Sequence, residues 1–183
     1  MASTANIVCL GWGSLIWDPR SLPVKGEWSL DGPMLPIEFA RESADGRMTL
    51  VIVEQADPVP TLWTRLEVES LDDAVQALYE REGATWVGSI GRWPSYERQH
   101  RHADEIGAWA QEKCIDGVVW TDLKAGFRSA RGPVPTLDEV TRHLGALTGE
   151  SREIAEQYIL RAPTQIATQY RPALEQLVSQ NKV

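Results

Sequence analysis

The sequence predicts an α+β protein, and the order of its patterns along the chain carries that prediction. Apolar runs of strand length are concentrated in the first 70 residues, and helical patterns with capping signals dominate afterwards. One further strand-like run returns at residues 115–123. Consecutive strands followed by helices are typical of α+β proteins, because a doubly wound fold alternates the two. We expect a single domain, with a core over about residues 5–123 and a helical region over about residues 136–180.

The predicted strands are short and are bounded by turn residues. Apolar runs that fit strands cover residues 6–12, 34–43, 48–55 and 61–69. The second and third runs are joined by a polar stretch around Asp45 and Gly46. This stretch predicts a hairpin turn between the two strands.

The first helical patterns follow the strands directly. Residues 70–83 open with a serine and aspartate cap, carry an apolar stripe and stop at Gly83. A weaker helical pattern covers residues 95–114, because Gly107 interrupts it. We therefore expect one well-bounded helix and one less regular helix in this part of the chain.

Three more helical patterns occupy the C-terminal region, over residues 136–147, 151–162 and 164–180. The first begins with the capping-box pattern of Thr136 and Glu139. The second is expected to begin at Ser151 and to stop before Pro163. Pro172 is expected to kink or divide the third, because proline lacks the N–H that a helix interior needs.

Charge and hydropathy restrict the class of partner. The net charge of -8 disfavours nucleic acid and anionic membranes, since both are bound through basic surfaces. No apolar stretch approaches the roughly 20 residues that cross a bilayer. The first residues lack the basic and apolar regions of a signal peptide. We expect a cytoplasmic protein that binds neither nucleic acid nor membrane.

Two cysteines, Cys9 and Cys114, each lie in an apolar run. The pattern favours two buried thiols in a reducing compartment. A disulfide between them, or a thiolate nucleophile, is the alternative.

The stretch VCLGWGSLIW, residues 8–17, places two glycines inside a strand pattern. Glycine weakens a strand, so it marks a place where the backbone bends or closely approaches another group. Because glycine allows left-handed turns, the backbone N–H groups of such a bend can surround a carboxylate or an oxyanion. The stretch fits neither a phosphate loop nor a dinucleotide-binding loop. A structural bulge is the alternative.

Glu82, in the stretch YEREG, is a candidate general acid or base. It lies at the C-terminal end of the first predicted helix, where the negative end of the helix macrodipole favours uptake of a proton. Helical spacing places Leu78 one turn earlier on the same side. Glu82 is therefore expected to face the apolar side, and Arg81 to point away from it. A solvated glutamate in the last turn is the alternative.

Three short motifs follow one another over residues 7 to about 83: GWGSLIWDP, FARESADGR and LYEREG. Each resembles a segment of the ChaC-type γ-glutamylcyclotransferases. The first is similar to the GYGSLIW opening of that family, with Trp12 in place of its tyrosine. The second, followed by TLVIVE, is similar to the segment F-x-x-x-S-x-D-x-R-G and the next strand. The third is similar to L-x-x-R-E, in which the glutamate is the catalytic residue.

The resemblance implies a small mixed β-barrel with flanking helices and an intramolecular acyl transfer. The α-amine of a γ-glutamyl group attacks its own γ-carbonyl and releases 5-oxoproline. The resemblance places the acid/base role on Glu82. It implies substrate binding by Gly11, Trp12, Gly13, Ser14, Leu15, Arg41 and Ser43. It implies no metal and no organic cofactor; the partner is a small γ-glutamyl substrate, and a homodimer stays open.

Two other functions remain open. One is a non-catalytic module that binds a small molecule or a protein on the same fold. The other is an acyl-transfer hydrolase that uses Ser14 or Cys9 as nucleophile.

Several other residues carry weaker hypotheses. The histidines His100, His102 and His143 are expected to lie on solvated or capping positions. Arg128 and Arg131 lie in a loop rich in glycine and proline, where they are candidates to hold a substrate carboxylate. Trp120 is a candidate wall residue of the predicted barrel.

Overall fold

Two mixed β-sheets and five α-helices make up the part of the chain that the computed structural model describes, residues 5–96 and 98–180. The strands are β1 Ile7–Gly11, β2 Val24–Ser29, β3 Met34–Glu42, β4 Met48–Ile52, β5 Pro58–Pro60, β6 Leu62–Leu66, β7 Ile90–Trp93, β8 Gly117–Thr121, β9 Gly126–Phe127 and β10 Ala130–Arg131. The helices are α1 Leu71–Glu82, α2 Ala103–Glu112, α3 Leu137–Ala146, α4 Gly149–Arg161 and α5 Arg171–Gln180. The α+β prediction is confirmed. Over the described residues, neither sheet closes into a barrel.

The chain divides into two compact units. The first contains residues 5–11, Leu15–Met34 and Pro60–Leu123. The second contains Trp12–Ser14, Leu35–Val59 and residues 124–180. We call residues 11–15 the glycine bend. Gly11 and Leu15, at its two ends, belong to the first unit, and Trp12–Ser14 belong to the second.

The sheet of the first unit has the strand order β2-β6-β1-β8-β7. Its middle strand, β1, runs antiparallel to β6 and parallel to β8. All five residues of β1 are buried, as expected of a strand that is covered on both faces. Helix α1 packs against β8, β7 and β1. Cys9, Leu15 and Leu78 belong to the core cluster of this unit.

The sheet of the second unit has the strand order β10-β9-β3-β4, and β5 also pairs with β3. Strands β3 and β4 form the predicted antiparallel hairpin. Gly46 in its turn has a φ of 88°, a left-handed conformation that favours glycine. Helix α5 packs against both α3 and α4.

The capping signals predict α1 and α3 correctly. The Ser70 hydroxyl accepts a hydrogen bond from the Asp73 N–H at 3.1 Å, and Gly83 ends the helix with a φ of 58°. At α3, Thr136 and Glu139 form both hydrogen bonds of the capping box. Local chemistry is sufficient at these positions because each cap is made by residues within one helical turn.

Three helix boundaries differ from the predictions. Helix α2 begins at Ala103 and not near residue 95. Helix α4 begins at Gly149, which places Ser151 inside its first turn. Helix α5 begins at Arg171, so Pro172 lies in its first turn. Proline is tolerated there because the first N–H groups of a helix have no intrahelical partner.

Five strands have no counterpart among the predicted elements: β2, β5, β7, and the two-residue strands β9 and β10, which lie in the predicted loop over residues 125–135. Strand β2 is interrupted by a bulge, where Gly26 has a φ of 87° and the register shifts against β6. Such an interruption breaks the alternation that identifies a strand. Strand β5 has three residues, and strand β7 has four.

The two cysteines differ in exposure. Cys9 is buried and Cys114 is exposed, and both are free thiols. The prediction of two buried thiols is therefore wrong for Cys114, which follows α2 with a φ of 53°. Across residues 5–96 and 98–180, the helices are too short or too polar to cross a bilayer.

Candidate functional site

The glycine at the start of the bend is required by an aromatic ring of the same unit. A β-carbon at Gly11 would lie 2.6 Å from a ring carbon of Trp28. Neither Gly11 nor Gly13 has a positive φ, so the expected left-handed turn is not the reason for either glycine. At residue 11 the reason is close approach, since any side chain would displace the indole of Trp28.

The middle of the bend belongs to the second unit, where it lies against the edge strand β4. The Trp12 indole N–H donates to the Leu50 carbonyl at 3.1 Å. The Leu50 N–H donates to the Tyr158 hydroxyl at 3.2 Å. That hydroxyl also occupies the space that a β-carbon at Gly13 would need. Tyr158 lies in α4 and had no sequence signal that linked it to the bend.

The outer end of the bend joins the core of the first unit. Leu15 is 5% exposed and shares its cluster with Cys9 and with Leu78 of α1. Leu78 lies one helical turn before Glu82, as the spacing predicts. The end of the bend and the last turn of α1 therefore rest on the same apolar cluster.

Glu82 is held at the end of α1 by its neighbour. Its side chain is 17% exposed, and its Oε1 accepts a hydrogen bond from Arg81 Nη1 at 2.7 Å. The Arg81 side chain is 4% exposed. The expectation that Arg81 points away from the apolar side is therefore wrong. Glu82 is not the solvated last-turn glutamate of the alternative interpretation.

The residues that follow the bend contact the same helix end. The Arg81 guanidinium donates to the carbonyl of Asp18 through Nη2. Arg20 Nη1 donates in turn to the carbonyl of Arg81 at 3.3 Å. Residues 18–20 and the last turn of α1 are thus linked in both directions within the first unit.

The charge of Glu82 also acts on the strand that leads into the bend. Burial raises the pKa of the Cys9 thiol far above its ordinary value of 9.0, and the Glu82 carboxylate raises it further while Arg81 opposes that effect. A thiol in this condition stays protonated near neutral pH, whereas a nucleophilic cysteine needs the thiolate. The structure therefore disfavours Cys9 as a nucleophile.

Arg41 and Ser43, the binding residues of the second motif, are engaged in the hairpin of the second unit. Arg41 Nη1 donates to the Lys124 carbonyl at 2.7 Å. The Ser43 hydroxyl donates to the Asp45 carboxylate in the turn. The Arg47 guanidinium lies over the Tyr158 ring, 5.3 Å from its centroid. This motif therefore folds as a turn whose arginine packs on the aromatic residue that borders Gly13.

Two of the weaker hypotheses concern arginines of the loop that carries β9 and β10. Arg128 Nη1 donates to the Ala44 carbonyl at 3.2 Å. Arg131 Nη2 donates to the Glu42 carbonyl at 2.7 Å. Both guanidinium groups hold this loop against the β3–β4 hairpin, so these donors are already in use.

The histidines occupy three different environments. The His100 side chain is 4% exposed, and its Nδ1 lies 3.3 Å from Asp122 Oδ2. The solvated position predicted for His100 is therefore wrong, and Trp120 contacts its ring edge to face. His102 Nδ1 lies 3.6 Å from Glu105 Oε1. His143 lies 2.6 Å from the Gly46 carbonyl through Nε2.

The predicted site residues fall into two groups, one in each unit. Gly11, Leu15 and Glu82 belong to the first unit. Trp12, Gly13, Ser14, Arg41 and Ser43 belong to the second. Among the described residues, His, Cys, Asp and Glu side chains form no group of three or more that could hold a metal ion.

Comparison with protein-family models and with curated proteins finds no match to this chain. The resemblance to the γ-glutamylcyclotransferases stays a prediction that rests on three short motifs.

Proposed function

We propose that this chain is a γ-glutamylcyclotransferase-like enzyme that releases 5-oxoproline from a γ-glutamyl amide or peptide. One observation carries the proposal. The Glu82 side chain is 17% exposed and paired with Arg81 at the end of α1, and its charge acts on Cys9 in the strand that leads into the glycine bend. A proton-transfer group needs a fixed position and access to its substrate; Arg81 fixes Glu82, and 17% of the Glu82 side chain remains exposed.

In the proposed reaction, one carboxylate transfers a proton in two successive steps. Glu82 takes a proton from the α-amine of the substrate as that nitrogen bonds to the γ-carbon. The carbonyl becomes a tetrahedral oxyanion, and its collapse breaks the bond to the departing amine. Glu82 returns the proton to that amine, so the enzyme ends in its starting state. Ring closure is intramolecular, so folding the substrate brings the reacting atoms together.

The resemblance assigns the oxyanion donors to backbone N–H groups of Gly13, Ser14 and Leu15. Leu15 lies on the core cluster that also contains Leu78, so its backbone is fixed by packing. Rigid donors suit this role because they need no reorganisation as charge develops on the oxygen.

The small β-barrel of the family is part of the same proposal. The sheet of the first unit supports it through the parallel β1–β8 pair with antiparallel strands on both sides, and through α1 packed against that pair. Such a mixed sheet with a covering helix is the arrangement from which the family's barrel would be built.

Turnover of a panel of γ-glutamyl amines and peptides tests the proposed function. We expect the wild type to release 5-oxoproline, detected by mass spectrometry, and Glu82→Gln to lose release by at least about 100-fold. Glu80→Gln is the matched control, because Glu80 is exposed on the same helix and contacts Gln76. Full turnover by Glu82→Gln would contradict the mechanism. No product from the wild type across the panel would contradict the function.

A second candidate is a non-catalytic binding module on the same fold. The ion pair between Arg81 and Glu82 favours it, because a paired carboxylate satisfies a buried guanidinium without any reaction. The same panel separates the two functions. Retention of a γ-glutamyl compound without formation of 5-oxoproline would support the binding module.

A further inference from the structure

Arg81 is a buried arginine in the last turn of α1. Its side chain is 4% exposed. Arginine is rarely buried unless its charge is paired, because desolvation of an ion is costly. The partners of the guanidinium therefore reveal the reason for this burial.

Contacts of the guanidinium reach two different segments of the first unit. Nη1 donates to the Glu82 carboxylate at 2.7 Å, and Nη2 donates to the Asp18 carbonyl. Adjacent residues on a helix do not normally face each other, so helical spacing alone does not account for the contact between Arg81 and Glu82. A planar group with several fixed donors can hold both acceptors at once, whereas an ammonium is a point charge.

We propose that Arg81 is a positioning residue for Glu82, which fixes the carboxylate relative to residues 18–20 without touching the substrate itself. This inference rests on the proposed cyclisation. Its consequence is that the geometry of the guanidinium matters as well as its charge. A carboxylate displaced by about 1 Å can lose roughly 100-fold in rate, because proton transfer depends on a short, aligned contact.

Arg81→Lys separates geometry from charge, since lysine keeps the positive charge but lacks the planar guanidinium with its several fixed donors. We expect kcat per folded molecule to fall roughly 10- to 100-fold, with KM changed less than about twofold. Arg92→Lys is the matched control. Arg92 also pairs with an aspartate of α1, through Nη1 and Asp72 Oδ1 at 2.6 Å, and its side chain is 33% exposed. The control is expected to keep the wild-type kcat and KM.

The folded fraction is measured by circular dichroism and thermal unfolding, so that loss of fold is not counted as loss of rate. If Arg81→Lys does not fold, Arg81→Gln takes its place, because it carries no charge into the core. A purely structural arginine would lower the melting temperature and leave kcat per folded molecule unchanged.

Each outcome has one meaning. A reduced kcat with an unchanged KM in a folded variant supports the inference. A wild-type kcat in that variant, together with an inactive Glu82→Gln, overturns the inference and leaves the proposed function standing. Failure of both Arg81 variants to fold assigns the residue to folding alone and overturns the inference. No product from the wild type overturns the proposed function and this inference together.

Discussion

The hydroxyl oxygen of Tyr158 occupies the space that a β-carbon at Gly13 would need. The same hydroxyl accepts the Leu50 N–H at 3.2 Å. Movement of Tyr158 would therefore leave a buried N–H without its acceptor, at a cost of about 1–3 kcal/mol. The glycine at residue 13 is explained by this tyrosine.

Gly13→Ala is expected to destabilise the protein by about 1–3 kcal/mol, because the new methyl group overlaps the hydroxyl. Tyr158→Phe is expected to cost about 1–3 kcal/mol, because the Leu50 N–H loses its acceptor. The double variant should cost less than the two single variants together by at least about 0.5 kcal/mol, since the hydroxyl that causes the overlap is gone. Urea unfolding of the four proteins measures these free energies.

Gly145→Ala is the control, because Gly145 lies in α3 and a β-carbon there meets no atom within 4 Å. It is expected to stabilise the helix slightly, by roughly 0.5–1 kcal/mol. Additive effects of Gly13→Ala and Tyr158→Phe would show that the tyrosine is not the reason for the glycine.

The sequence predicts elements whose signals are local, and it misses contacts between distant residues. The caps of α1 and α3 and the turn at Gly46 depend on neighbours a few residues away. The contacts of Gly11 and Gly13 depend on distant residues, because the fold brings Trp28 to Gly11 and Tyr158 to Gly13.

Arg81 shows that the burial of a charged residue is difficult to predict from the sequence. The buried residues Ala74, Leu78 and Arg81 have the spacing of one helical stripe, so the periodicity marks residue 81 as buried. The four-residue spacing from Leu78 to Glu82 predicts instead that Glu82 faces the apolar side and that Arg81 points away from it. Residue type alone could not show that Glu82 and the Asp18 carbonyl pair with the guanidinium, which is the condition for its burial.

The two cysteines are expected to differ in reactivity. In the folded protein at pH 8, an aromatic disulfide reagent should label Cys114 and leave Cys9 unmodified. Cys114 is exposed, whereas burial and then the Glu82 charge raise the pKa of Cys9. Release of the coloured thiol counts the reactive groups, and urea should make both react.

Cys114→Ser provides the decisive protein for this measurement, and Cys9→Ser is its control. Labelling of folded Cys114→Ser at the rate of an exposed thiol would contradict the burial of Cys9. It would also return Cys9 to the list of candidate nucleophiles.

Glu38 in β3 ties the segment before α5 to the sheet of the second unit. It is 2% exposed and accepts hydrogen bonds from the Thr168 hydroxyl at 2.6 Å and the Tyr170 N–H at 3.1 Å. Glu38→Gln replaces one acceptor oxygen with a donor. We expect a loss of about 1–3 kcal/mol in urea unfolding, because a buried N–H or O–H then lacks its acceptor.

The loss of unfolding free energy in Glu38→Gln is expected to change with pH in a definite direction. Burial raises the pKa of Glu38 above its ordinary value of 4.5, although the hydrogen bonds from Thr168 and the backbone oppose this. The folded protein therefore binds more protons than the unfolded chain just above pH 4.5, and the contribution of Glu38 falls as pH rises through its folded pKa. The difference in unfolding free energy between the wild type and Glu38→Gln should therefore decrease as pH rises through the folded pKa of Glu38. Glu153→Gln, on an exposed face of α4, is the control, and a difference that grows with pH would contradict the assignment.

The contribution of Asp122 to stability is expected to change with pH in the opposite direction to that of Glu38. Its side chain is 5% exposed, and it lies 3.3 Å from His100 Nδ1 and 2.6 Å from Arg101 Nη2. Burial by itself would raise the pKa of Asp122, but the hydrogen bond from His100 and the charge and hydrogen bond of Arg101 outweigh it and hold the pKa below 3.8. The ionised carboxylate therefore stabilises the fold above pH 3.8, and this contribution is lost as pH falls through the folded pKa.

Asp122→Asn should cost about 2–4 kcal/mol at pH 7, because it leaves a buried histidine and an arginine without their shared anion. The stability difference from the wild type should shrink as the pH is lowered below 3.8, which urea unfolding between pH 3 and 7 measures. Asp104→Asn is the control, since Asp104 is exposed on α2 and its contact with Gln99 is long, at 3.5 Å. An Asp122→Asn protein that matches the wild type at pH 7 would show that Asp122 does not hold residues 100–101 at the end of β8.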